Sequence, residues 1–210
     1  MASIQRTSWI TAVALVSMVQ TGFSNTSHAE EQALLPASAR LALPAEKHAW
    51  LDRLVGEWSV EMRVYPEPGA TPIVATNFAA TREWRLGGRY LEERLTGTFA
   101  GNAAERVMIL GYNNLEQRFE LASFDTFEPG HMIYQSRGSV SPNRFSLYGE
   151  STEAGNYPKP TGRRRDLRFE FSISNDRSEE RIFVTYPGKD EYLFVQQIFT
   201  RSGDTQPVDR

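Results

Sequence analysis

The chain has 210 residues, 40% hydrophobic and 23% charged, with a formal net charge of −3 and no cysteine. That balance excludes a disordered, collagen-like or multi-span membrane chain, and the missing thiols exclude disulfides, thiolate metal sites and cysteine nucleophiles. A pI near 5.7 gives nucleic acid or an anionic membrane no overall electrostatic reason to bind.

Residues 1–29 have the pattern of a secretory signal. Arg6 supplies the positive charge, Trp9 to Val19 is an apolar stretch, and Ser27 and Ala29 are small residues at the two positions a signal peptidase reads. Cleavage is expected before Glu30. A spanning helix needs about 20 apolar residues, so stable membrane insertion is not expected and the mature protein is expected to be exported, periplasmic or extracellular. Residues 30–43 have no clear period and are broken by Pro36, which predicts a flexible lead-in. Pro44 then suits the first turn of a helix. Leu51, Leu54 and Val55 fall at i, i+3 and i+4 of a short amphipathic stretch, with Gly56 as its C-cap.

From Trp58 the hydrophobic period changes to two. Trp58, Val60, Met62 and Val64 alternate with polar positions until Pro66-Glu67-Pro68-Gly69. Ile73 to Leu86 and Arg89 to Phe99 flank Gly87-Gly88, which reads as a tight primed hairpin. Ala103 to Tyr112 and Arg118 to Thr126 flank Asn113-Asn114. Met132 to Val140, Arg144 to Ser151, Arg163 to Ser174, Arg181 to Tyr186 and Tyr192 to Arg201 complete ten predicted strands. Short turns without crossover helices indicate an antiparallel meander. Closing it removes exposed edges, so the expected fold is all-β, an up-and-down barrel with a short N-terminal helix. The barrel is expected as one domain over 44–202, followed by a tail at 203–210.

Gly56-Glu57-Trp58 before the first strand, and Arg201 ending the last, resemble the lipocalin and fatty-acid-binding (calycin) superfamily. The resemblance implies a latch in which Arg201 lies over the Trp58 indole, a contact worth ~0.5–2 kcal/mol. A second resemblance runs from His48 to Arg201. LVGEW (54–58), GGRYLEERLTGTFAG (87–101), ILGYNN (109–114), SFDT (123–126) and FTR (199–201) are similar to the bacterial family catalogued as domain of unknown function 1579. The chain departs from that family at Asn113, where aspartate is usual, and at Phe124, where tryptophan is usual. The first departure puts a required carboxylate at 113 in doubt. The resemblance implies a lipocalin-like barrel and no enzymatic activity.

Within the strands, Arg82 shares a face with Phe78, Trp84 and Leu86, and Glu93 shares one with Leu91, Leu95 and Phe99. If those faces point inward, Arg82 and Glu93 form a buried pair. A register slip at Gly87-Gly88 would instead put both in solvent. Arg82, Trp84, Glu93 and Tyr134 are the candidate ligand-contacting residues of the lumen. Asp125, Glu128 and His131 are the only metal-like cluster, but their spacing also suits a polar loop, and no metal or cofactor is expected. Arg163 to Arg165 with Arg168 read as a solvated face partnered by Glu170, Glu179 and Glu180.

No nucleophile elbow or phosphate loop is present. The leading expectation is a non-catalytic carrier of a small apolar or amphipathic ligand, with self-association left open. The alternatives are a hydrolase or isomerase using Glu93, Asp125 or His131 in the same cavity, or a filled barrel acting as an interaction module.

Overall fold

The computed structural model describes residues 36–128, 130–153 and 162–203. The expected signal segment, its cleavage position, residues 30–35 of the lead-in and nearly all of the C-terminal tail lie outside them. Residues 37–41 are helical (α1, Ala37–Leu41), where a flexible segment was expected. A second helix, α2 (Glu46–Ala49), begins after the N-cap Ala45 and runs into a 3₁₀ turn over Trp50–Leu54. Pro44 therefore sits just outside the first turn. His48 completes this start from within the helix, its Nδ1 accepting the Ala45 N–H at 2.9 Å. Gly56 follows the C-cap Val55 and opens the first strand with a φ of 121°.

Ten strands follow: β1 (Gly56–Val64), β2 (Ile73–Arg85), β3 (Tyr90–Phe99), β4 (Asn102–Asn113), β5 (Arg118–Asp125), β6 (Met132–Ser136), β7 (Arg144–Thr152), β8 (Arg164–Ile173), β9 (Arg177–Thr185) and β10 (Tyr192–Arg201). Each pairs antiparallel with its sequence neighbours, and β1 pairs with β10, so the sheet is a closed barrel. Closure leaves no strand edge with unpaired backbone groups.

Two boundaries differ from the periodicity. β6 stops at Ser136, well before Val140, and β9 begins at Arg177, ahead of Arg181. The β2–β3 connection is also longer than the expected two residues. Arg85 pairs with Tyr90, and Leu86, Gly87 and Gly88 all adopt positive φ. Leu86 thus leaves the inward face of β2 and is exposed.

One end of the barrel is filled. Leu51 and Leu54 of the 3₁₀ turn plug it, and a column of rings occupies the space above: Phe119 on Phe145 at 4.5 Å, Phe145 on Phe171 at 4.9 Å and Phe171 on Phe169 at 4.8 Å. A second cluster, including Trp58, Val60, Phe78, Leu95 and Phe199, lines the wall formed by β1, β2, β3 and β10.

Candidate functional site

The closed end is held by side chains that clamp the plug to the first and last strands. Trp58 donates its indole N–H to the Leu54 carbonyl at 2.9 Å. Arg201 lies over the Trp58 ring at 4.3 Å and donates to the carbonyls of Val55 and Arg53, each at 2.8 Å. Trp84 belongs to this end as well. Its ring nitrogen donates to Asp52 at 2.7 Å, and it does not line the open part of the lumen. Two residues beyond Arg82 on an inward face brings Trp84 level with the plug, so the alternation that selected it was right about the face and silent about depth.

Asn113 is also part of a turn. Its Oδ1 accepts the N–H groups of Leu115 and Glu116, while the neighbouring Asn114 donates to the carbonyls of Leu41 and Leu43. An amide oxygen performs this role as a carboxylate oxygen would. In this chain, position 113 supplies an acceptor to the turn and a donor to the Glu120 carboxylate.

Arg82 and Glu93 are directly opposite in the β2–β3 register, both inward and both buried, with 0% and 1% exposure. They are half of a four-membered ring. Arg82 donates to Glu93 at 2.7 Å, to Ser178 at 3.1 Å and to Glu180. Arg106 on β4 donates to the other oxygen of Glu93, to Glu180 at 2.8 Å and to Gln197 at 2.7 Å. Phe199 lies 3.9 Å beneath the Arg82 guanidinium. Two cations alternating with two anions meet the requirement that buried charge be paired and fully hydrogen-bonded. Burial pushes the Glu93 carboxyl up, but the adjoining Arg106 and Arg82 guanidiniums outweigh it and hold the group below the usual range. Glu180 goes the other way, because burial and the neighbouring Glu93 charge exceed what the arginines return.

Above the ring, towards the end opposite the plug, lies a cavity of about 290 Å³. Its wall is mostly apolar, with Met62, Phe78, Leu95, Met132, Leu167, Ile182 and Phe194 among its residues. Arg106 and Gln197 form part of its floor, and Tyr134 lines its side. Burial raises the Tyr134 phenol above its ordinary value, so the group stays protonated. At the mouth, Phe127 and Glu128 come from the β5–β6 loop. Phe127 meets the edge of Phe99 at 6.0 Å, and Glu128 accepts from Arg165 of β8.

Sequence reasoning missed Arg106, Glu180, Gln197 and Arg165. Glu180 is not on a solvated outer face but completes the internal ring, and Arg165 is likewise internal, donating to Ser151 and Glu128. Glu170 does face outward, among Arg144, Arg168 and Arg181. The Asp125, Glu128 and His131 cluster does not converge. Asp125 accepts the N–H groups of Phe127 and Glu128 within its own loop, Glu128 turns to Arg165, and His131 is exposed and stacked on Phe124 at 5.7 Å. Among the described residues no group of three or more His, Asp or Glu side chains is placed to hold a metal ion.

A closed ten-strand antiparallel barrel, plugged at one end and hollow at the other, is the class of protein that this geometry defines. Residues 43–201 match the family described as "Protein of unknown function (DUF1579)", and the chain belongs to that family. No curated protein matches it. Among solved structures, the chain is similar to that titled "Crystal Structure of Rv2717c from M. tuberculosis", at 15% identity and a TM-score of 0.51, covering 75% of this chain and 98% of that one. At that identity the likeness concerns the fold alone.

Proposed function

We propose that this protein is exported and holds one small, largely apolar molecule in the hollow half of its barrel. The observation that carries the reading is the uneven filling of the lumen. Protein interiors are close-packed, and the plugged half obeys that rule with its phenylalanine column. The other half keeps a cavity of about 290 Å³ behind apolar walls. Left dry, such a void forfeits on the order of 7 kcal/mol at ~24 cal/mol per Å³, a large part of a domain's stability. Pockets for small molecules have this character, mostly apolar with a few polar groups that fix orientation. Support for export comes from the leader-like pattern of residues 1–29.

The acid–base alternative has less to stand on. Glu93 and Glu180 lie behind Arg106 and are not among the cavity-lining residues, while Asp125 is occupied by backbone donors.

A fluorescence titration with 1-aminoanthracene tests the binding reading. The expected result is a saturable rise that Ala104→Phe abolishes, since Ala104 lines the cavity and a ring there would occupy it. Circular dichroism checks that the variant is folded. Equal dye binding by both proteins, or none by either, would overturn the proposal.

A further inference from the structure

We infer that the molecule held in the lumen presents a neutral hydrogen-bond acceptor such as a carbonyl and is not a free carboxylate or phosphate. The inference rests on the lumen-binding reading and adds the ligand's chemical class.

The first ground is that each arginine facing the lumen is already matched. Arg82 and Arg106 are shared between Glu93 and Glu180. Arg165 is bonded to Glu128 and to Ser151. With Asp125 also lining the cavity, three arginines face four carboxylates in and beneath it. An entering anion would find no unpaired cation and would sit in a space of low dielectric where negative charge is in excess. To reach Arg165 it would have to displace Glu128 and leave that carboxylate without its partner, which costs more than an exposed pair is worth.

The second ground is what remains unmatched. Tyr134 is fully buried, and its hydroxyl donates only to the thioether of Met132 at 3.2 Å, a weak acceptor. Gln197 gives its oxygen to Arg106, which directs its amide NH₂ towards the cavity that it lines. The Gln197 NH₂ opens on the cavity and the Tyr134 hydroxyl holds only a weak thioether, so a stronger neutral acceptor would improve on what each now has. A carbonyl oxygen satisfies such donors without bringing charge. A cavity of about 290 Å³ with an open mouth accommodates a compact ring system or a short chain.

Calorimetry on the whole protein at neutral pH with three probes of one shape decides the matter: 2-acetylnaphthalene, 2-ethylnaphthalene and 2-naphthoate. The ketone is expected to bind about tenfold more tightly than the hydrocarbon, the worth of one good hydrogen bond, and the carboxylate at least tenfold more weakly than the ketone. Tyr134→Phe is expected to remove most of the ketone's advantage while leaving the hydrocarbon's affinity unchanged, which also reports an intact pocket. Naphthoate binding as tightly as the ketone would overturn the inference and leave lumen binding standing, as would a ketone no better than the hydrocarbon. Failure of all three probes to bind folded protein would overturn the lumen-binding reading itself.

Discussion

Replacing Arg82 by methionine removes one cation from the buried ring and keeps most of the side-chain stem. Glu93 and Glu180 would then share Arg106 alone, and Ser178 would lose its guanidinium partner. Breaking a buried charge network by removing one member costs about 3–5 kcal/mol, because a charge is left without compensation. For a barrel of this size each kcal/mol is worth roughly 2–4 °C in Tm. Arg82→Met should therefore lower Tm by about 6–20 °C in thermal unfolding followed by circular dichroism. Adding Glu180→Gln takes away the surplus negative charge and leaves the Arg106–Glu93 pair balanced. The double variant should recover at least ~1 kcal/mol relative to the sum of the single changes, as residues of one network do. Additivity of the two changes within ~0.5 kcal/mol would refute the view that charge balance, and not packing around Phe199, is what Arg82 supplies.

Further outcomes follow from the same geometry. Glu180 is held above its ordinary value of 4.5, so above that pH the folded state keeps a proton that the unfolded chain has released. Its contribution is fully present below 4.5 and falls as pH rises through its raised folded value, and Glu180→Gln should remove this component of the slope in urea unfolding. Equal slopes in both proteins would contradict it. Glu93 acts in the opposite sense: its contribution is present above 4.5 and is lost as pH falls through its lowered value. Gly149→Ala should cost about 1–3 kcal/mol, because the new Cβ would lie 2.5 Å from the Ile133 carbonyl oxygen, which the sheet prevents from moving; an unchanged Tm would refute the contact. Asn113→Asp keeps the acceptor for Leu115 and Glu116 but exchanges the amide donor to Glu120 for a second carboxylate, and should cost about 1 kcal/mol or less, whereas Asn113→Leu loses the acceptor too and should cost ~1–2 kcal/mol. A gain in stability from Asn113→Asp in chemical denaturation would reinstate a need for charge at that position.

Periodicity made the barrel legible because each strand has one buried face, and a slip of one residue would expose all of it. Arg82 and Glu93 could be found for the same reason: each lies two residues from an inward apolar neighbour, Ala80 and Leu91 or Leu95. Arg106 carries the same signal between Ala104 and Met108, as does Gln197 between Val195 and Phe199. Both were passed over because a single polar residue on an apolar face has no visible partner until strands distant in sequence are brought together. Glu180 was hidden by the strand boundary, since β9 starts at Arg177 and the inward series Ser178, Glu180, Ile182 and Val184 becomes visible only then. Depth along the barrel is the other quantity that alternation does not encode. It separates Trp84, beside the plug, from Tyr134, beside the cavity.

Native mass spectrometry of the protein recovered gently from its source cells tests the central claim most directly. The account predicts mass in excess of the polypeptide, lost on denaturation and missing from Ala104→Phe isolated in the same way. An identical bare polypeptide mass for both proteins, from gently prepared material, would contradict it.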